Sequence, residues 1–292
     1  MLMNHCIQCG SDRTQNNTCL DCGYAPALFS GFPAFAPDLA CSTSGFDPAF
    51  HRQLAELESG NFWFRARNFL IVAALRKFAP AMRSFMEVGC GTGFVLSAVR
   101  HAFPQVQATG SELLVEGLSH AAERLPDVSF IQMDARAIPY RARFDAIGAF
   151  DVIEHIEQDE SVLREMHRAL QPGGILVITV PQHRWLWSRQ DEYAHHVRRY
   201  TRRELLDKIR GAGFRPVWTT SFVTILLPLM LLSRRSGARR DSDSDPFREF
   251  RIPRWLDRML YAVMCVEIGL IKLGIRMPVG GSLIMVAEKT SQ

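Results

Sequence analysis

From residue 61 the chain carries a helical period. In NFWFRARNFLIVAALRKFAP the apolar positions Phe62, Leu70, Ala73, Ala74 and Phe78 recur at helical spacing, and Pro80 stops the run. The pattern then changes to short apolar runs: RSFMEVGCGTGF, QVQATGSE, DVSFIQMDA, ARFDAIGAFD, GGILVITVP, FRPVWTTSF and, near the end, GGSLIMVAEK. Stretches long enough for a crossover helix separate the first five, which predicts βαβ units and a doubly wound, mostly parallel α/β sheet. Ligands of such sheets lie beyond the carboxyl ends of the strands, so the ends of the first four runs are where chemistry is expected.

Both flanks of this pattern differ from it. The stretch YAPALFSGFPAFAPDLACSTSGFDP is rich in Pro, Gly and Ser and reads as a linker with at most one short strand, with a boundary near residues 38–48. Between Phe222 and Gly280 the run SFVTILLPLMLLSRR is too short and too interrupted by proline for a membrane span. An arginine-rich polar segment follows it, and then an apolar helical run, RWLDRMLYAVMCVEIGLIKLGIR. The expected division is a module and linker over 1–40, a core over 41–222, a helical insertion over 223–278 and a final strand over 279–292.

Composition narrows the class. The 292 residues are 47% apolar and 22% charged, enough for a full core, and the net charge of +4 does not by itself call for nucleic acid. The N-terminus lacks a basic-then-apolar-then-small secretory pattern, which predicts a reducing, cytoplasmic setting, with the inner face of the membrane as an alternative. In that setting the pairs Cys6-x-x-Cys9 and Cys19-x-x-Cys22 point to Zn²⁺, because four thiolates complete a tetrahedron and leave no position open for water. Gly10 and Gly23 let backbone amides turn toward the sulfurs, and the nine-residue spacer suits a small knuckle-like hairpin. The site is therefore expected to be structural.

The first core run ends in Glu87-Val88-Gly89-Cys90-Gly91-Thr92-Gly93, a strand turning sharply into a helix whose free amides suit an anionic group. The second ends in Glu112, an acid placed to accept hydrogen bonds from ribose hydroxyls. Asp134 ends the third, suited to an adenine edge, and Phe150-Asp151 ends the fourth, with Phe150 suited to stacking. Together these describe a nucleoside pocket.

The ordered set FMEVGCGTGF, GSELL, QMDA, FDAIGAFDVIEHI and LQPGGILVITVP resembles the motifs of class I S-adenosylmethionine-dependent methyltransferases, over about residues 60–222 and again at the last strand. A nicotinamide-type Rossmann enzyme is disfavoured, because Glu87 precedes the turn and the glycines are spaced Gly-x-Gly-x-Gly. The resemblance implies a Rossmann-like, seven-stranded sheet ending in an antiparallel strand. It also implies S-adenosyl-L-methionine as cofactor, with Gly89, Gly91 and Gly93 around its methionine part, Glu112 on the ribose, Asp134 and Ala135 near adenine, Phe150 over the ring or sulfur, and Glu87 ordering the turn. By motif the chain is most similar to ubiquinone-pathway O-methyltransferases and to methyltransferases of bacterial surface-glycan loci, which carry segments like FWFRAR and HVRRYT. In the ubiquinone-type enzymes an arginine at the position of Arg67 contacts the cofactor; an ion pair or a solvated helix face is the plainer alternative. A glutamate and histidine like Glu154 and His155 are linked there to a divalent ion, although two ligands alone do not make a site.

Methyl transfer asks for in-line positioning and, where the acceptor is protonated, one base. His155, just past the fourth strand, is the candidate, against the alternative that it packs or caps the next helix. The aromatic and basic segment from Trp185 to Tyr200 is expected to be a loop over the site. Within it His196 is a candidate for a second acid-base role, and Arg199 and Tyr200 are candidates for binding the acceptor. Trp185 and Trp187 fit either an acceptor wall or the core of a lid. From Arg234 to Arg258 there are eight arginines against five acids beside two apolar segments. That suits peripheral contact with an anionic membrane or a lipid-linked acceptor, and equally a packed insertion or a homodimer interface. The leading expectation is O-methylation of a small-molecule, glycan or lipid-linked acceptor. The alternative is an RNA methyltransferase with an N-terminal zinc module, disfavoured because the module's one arginine is Arg13 and it has no lysine.

Overall fold

The computed structural model describes residues 3–40, 49–237 and 251–290. The expected boundary falls partly within 41–48 and most of the arginine-rich segment within 238–250, both outside the described residues.

Near the N-terminus, β1 (Thr14–Gln15) and β2 (Thr18–Cys19) form an antiparallel hairpin. Its two-residue turn is Asn16-Asn17, with φ of 50° and 62°. Both lie in the left-handed region that a tight primed turn needs and that asparagine tolerates better than most residues. A second hairpin, β3 (Ala27–Phe29) and β4 (Phe32–Ala34), follows. After α1 (Ala49–Glu58) and α2 (Phe62–Phe78) come β5 (Ser84–Val88), α3 (Phe94–Ala102), β6 (Gln107–Glu112), α4 (Val115–Arg124), β7 (Ser129–Gln132) and β8 (Phe144–Phe150). The remaining elements are α5 (Asp159–Ala169), β9 (Leu170–Pro181), α6 (Arg189–Tyr193), α7 (Arg202–Gly211), β10 (Phe214–Phe222), α8 (Leu227–Gly237), α9 (Arg254–Lys272) and β11 (Ser282–Lys289).

The main sheet runs β10-β11-β9-β8-β5-β6-β7-β4-β3. Seven of these strands, β10 through β7, make the expected doubly wound sheet. Strands β9, β8, β5, β6 and β7 are mutually parallel, and β11 is antiparallel to both its neighbours. The two further strands correct the linker expectation: β3 and β4 extend the edge, β4 pairing in parallel with β7. The buried side chain of Gln132 fixes that edge. Its amide accepts from Ala36 N at 3.0 Å and donates to Ala36 O at 2.8 Å and Leu113 O at 2.9 Å, so segment 32–36 is tied to the sheet like a strand.

The N-terminal module is docked as well. Met3, Cys6 and Cys19 are buried in one apolar cluster with Met133, Ile138 and Tyr140 of the core. Asn4 closes a reciprocal pair with Arg141, donating to its carbonyl and accepting from its amide, each at 2.8 Å, and Arg141 reaches Asp12 at 2.9 Å. The insertion forms α8 and α9. Helix α9 packs along α2, and Asp257 receives both the Arg65 guanidinium and the Phe62 amide at the start of α2.

Candidate functional site

The site forms where the carboxyl ends of β5, β6, β7 and β8 meet. Gly89 is required by space as well as by conformation: it has φ of 70°, and a Cβ there would lie 2.5 Å from a Val152 methyl. Gly93, with φ of 74°, starts α3, and its Cβ would sit 3.1 Å from Ala121. The loop is braced from both sides. Glu112 accepts from Gly91 N at 2.9 Å and Leu113 N at 2.7 Å. Thr92 donates to buried Glu58, and Arg124 ties Glu58 to the Thr92 carbonyl with two contacts of 3.0 Å.

A cavity of about 390 Å³ opens beside this loop, a size suited to a small cofactor. Its wall includes Gly89, Glu112, Asp134, Ala135 and His155, five of the residues singled out from the sequence. Asp134 is engaged by the guanidinium of Arg136, which also donates to Gln158 at 2.9 Å. Glu87 lies beneath the loop, fully buried with Oε2 unpartnered. Burial pushes its carboxyl well above the usual range, Arg67 opposes that, and nearby Glu58 and Glu112 add to it. The excess of acid around a glycine cradle fits the cationic ammonium of S-adenosylmethionine, and Glu112 fits its ribose.

Arg67 lies on α2, its guanidinium 4.6 Å from the Trp63 ring centre and ion-paired with Asp151. Asp151 adopts φ of 57° and also accepts from Thr179 Oγ1 at 3.1 Å. Arg67 is thus held by an ion pair at the end of β8. Phe150 corrects the stacking expectation. Strand alternation sends its ring to the opposite face of the sheet, into the cluster of Phe85, Val177 and Phe222, and it presses against Gly148, where a Cβ would meet it at 2.4 Å.

Past the end of β8, His155 ends a short 3-10 turn. Burial, and then His196, lower its pKa to about 4, so its imidazole is neutral across the physiological range. Segment 182–200 folds over this turn. The His196 ring meets the His155 ring edge to face at 4.7 Å, its Nε2 is 4.0 Å from Glu154, and its Nδ1 bonds buried Asp191 at 2.9 Å. Ligand atoms of Glu154, His155 and His196 lie within 4.8 Å of one another, so the fold supplies the third donor that the sequence left missing. Glu154 is fully buried with neither carboxylate oxygen hydrogen-bonded, and burial followed by Asp151 raises its pKa well above the usual range.

Arg199 and Tyr200 are corrected from acceptor ligands to scaffold. Arg199 is buried, donating to Asp191 at 2.7 Å and to Gln182 O at 3.0 Å. Tyr200 is buried with its hydroxyl donating to Asp159 at 2.7 Å. Trp185 is 57% exposed and stacked on His183. The residues that organise the site but escaped sequence reasoning are Glu58, Arg124 and Asp191. Thr92, within the glycine turn, and Asp151, at the end of the fourth run, were in view there without a role of their own.

At the N-terminus the four cysteines are free of disulfides and converge, with Cys6 3.6 Å from Cys22 and Cys9 3.6 Å from Cys19. Sulfurs at about 2.3 Å from a tetrahedral Zn²⁺ would be about 3.8 Å apart, so this donor set fits zinc.

A family model described as a methyltransferase domain matches residues 48–219, more than half the chain. The chain belongs to the methyltransferase-domain family. It is 31% identical to a trans-aconitate 2-methyltransferase of Azoarcus sp. over 44% of this chain and 48% of that protein. It is 29% identical to a malonyl-[acyl-carrier protein] O-methyltransferase of Enterobacter lignolyticus over 46% of this chain and 56% of that protein. The chain thus spans about half the length of the curated relatives it matches. Among solved structures, a phosphoethanolamine N-methyltransferase of Haemonchus contortus in complex with S-adenosyl-L-methionine superposes with a TM-score of 0.52 at 19% identity, over 77% of this chain and 52% of that one. That likeness shows a shared fold.

Proposed function

We propose that this methyltransferase-family chain moves the methyl group of S-adenosylmethionine to an oxygen of a small-molecule, glycan or lipid-linked acceptor, with His155 taking the acceptor proton. The observation that carries the proposal is a neutral imidazole in the wall of the same cavity as Gly89, Glu112 and Asp134. When bound, the cofactor supplies an electrophilic methyl on a sulfonium. Gly89, Gly91 and Gly93 would let the backbone approach its methionine part, and Glu112 would fix the ribose. His155 would orient the acceptor hydroxyl and receive its proton as the oxygen attacks in line, leaving S-adenosylhomocysteine and a methyl ether or ester. The more acidic the acceptor hydroxyl, the less is asked of His155. One relative is itself named an O-methyltransferase, which agrees with an oxygen acceptor.

Three of the six arginines from Arg184 to Arg203, where an RNA groove would draw its charge, are engaged within the fold. Arg198 and Arg199 are held by Asp159 and Asp191, and Arg202 donates to Met277 O at 2.7 Å. Transfer of labelled methyl to lipid, metabolite and RNA fractions tests the reading: label in the lipid or metabolite fraction, lost in His155→Asn, supports it, and label confined to RNA overturns it. A second reading is favoured by the convergence of Glu154, His155 and His196: a divalent ion there would lower the acceptor pKa in place of a base, and turnover abolished by chelation and restored by Mg²⁺ or Mn²⁺ would select it. Cys6, Cys9, Cys19 and Cys22 hold a structural Zn²⁺ in this account, one ion per chain.

A further inference from the structure

Helix α9 leaves an unusual face uncovered. Trp255, Met259, Ala262 and Val266 are exposed on it, and Leu273 is exposed just past its end. Their spacings of four, three, four and seven residues form one continuous apolar stripe along a helix of roughly 28 Å. Trp255 is 68% exposed, Val266 60% and Leu273 82%. Leu229 and Leu232 of α8 and Ile275 beyond α9 are exposed as well. The charges sort in the opposite sense. Both acids of α9 point inward, Asp257 to Arg65 and the Phe62 amide, Glu267 to the amides of Thr224 at 2.8 Å and Ile225 at 2.7 Å. Every exposed charge on α9 is therefore cationic: Arg254, Arg258 and Lys272, with Arg276 just beyond. At helical spacing the first three fall along one flank of the stripe.

We propose that this face of α9 is a membrane-docking surface that lies flat on an anionic lipid leaflet. An apolar stripe with tryptophan at one end sinks into the headgroup boundary, and a cation-only flank is attracted by lipid phosphates. No helix among the described residues is long and apolar enough to cross a membrane, so α9 lies on the surface. A second copy of the chain fits less well, since antiparallel pairing of two α9 stripes sets the cationic flank against itself.

The location gives the contact a use. Phe222, Ser282 and Pro181 are in register, so the insertion leaves β10 and returns to β11 at the same sheet edge on which the cavity opens. Gln182, which begins the segment over the site, donates to Gly281 O at 3.0 Å. Docking would hold that edge near the leaflet, a consequence for a lipid-linked acceptor that rests on the methyl-transfer reading, whereas docking itself does not.

Cosedimentation of the full chain with phosphatidylcholine vesicles, with and without about a third phosphatidylglycerol, tests this without turnover. Binding should require the anionic lipid, fall in high salt, and drop roughly hundredfold in Arg254→Gln/Arg258→Gln/Lys272→Gln, at about fivefold per cation. Trp255→Ser/Val266→Ser should also lose binding with an unchanged circular dichroism spectrum, because both side chains are exposed. Absence of binding at low salt, or equal binding to neutral and anionic vesicles, overturns the proposal. So does a dimer by light scattering that Trp255→Ser/Val266→Ser dissociates, which assigns the face to a second copy.

Discussion

His155 concentrates the chemistry of the site in one imidazole whose ring is kept neutral by burial. Replacing it with asparagine keeps a polar group of similar size but removes the base, and turnover should fall about 10²-fold or more while affinity for S-adenosylhomocysteine stays within about twofold. Undiminished turnover would leave His155 a packing residue. The same burial has a stability consequence of definite sign. The folded-state pKa of about 4 lies below the ordinary value of 6.5, so between them the unfolded chain binds more protons and stability falls as pH drops from 6.5 toward 4. Denaturant titrations of wild type and His155→Asn across that window should diverge by on the order of 3 kcal/mol, at about 1.4 kcal/mol per pKa unit, with wild type the more acid-sensitive. His155 was legible in the sequence because it follows a strand end directly. Its ring contact with His196 was not, because a contact across 41 residues that is made only when segment 182–200 folds back leaves no local pattern.

At the scale of elements, segment 182–200 is held by two buried acids, Asp159, which takes Arg198 and the Tyr200 hydroxyl, and Asp191. Asp191 gathers the Ser188 amide, His196 and Arg199; burial works against its charge, but His196 and Arg199 hold its pKa down at about 2. Asp191→Asn should cost about 3 kcal/mol or more, as expected when one member of a buried pair is removed. It should raise amide exchange across 182–200 and lower turnover with cofactor affinity unchanged; exchange that stays at the wild-type level would show that Asp191 does not hold the segment. The zinc module is a second such element. One equivalent of Zn²⁺ per chain is expected by atomic absorption, absent in Cys19→Ser, with chelation lowering the melting temperature; a metal-free chain that melts unchanged would refute zinc. The cysteine spacing made the module readable. The hairpin β3–β4 was not readable, because three-residue strands around a glycine turn, one with Pro33 in it, carry too few alternating positions to stand out from a linker. The backbone pairing of β4 with β7, reinforced by the buried Gln132 amide, makes them part of the sheet.

Across the whole molecule the order of strands and helices was legible because strands buried on both faces read as unbroken apolar runs. The acids at their ends, Glu112 and Asp134, marked the ligand edge, since no other residue of β6 or β7 is charged. What the order did not reveal is which arginines meet which acids. Arg67, Arg199 and the Arg124 clamp on Glu58 take their places only in the packed fold, each in an ion pair that braces it. The braces leave the cavity beside Gly89 bounded by Glu112, whose carboxylate touches the loop amides and fits a ribose. The most direct measurement of the central claim is a calorimetric titration of S-adenosylhomocysteine into the full chain and into Glu112→Gln. The account predicts one site per chain, with affinity at least about tenfold weaker in the variant, as loss of a charge-assisted hydrogen bond requires. A chain that binds no S-adenosylhomocysteine, or binds it equally with Glu112→Gln, would contradict it.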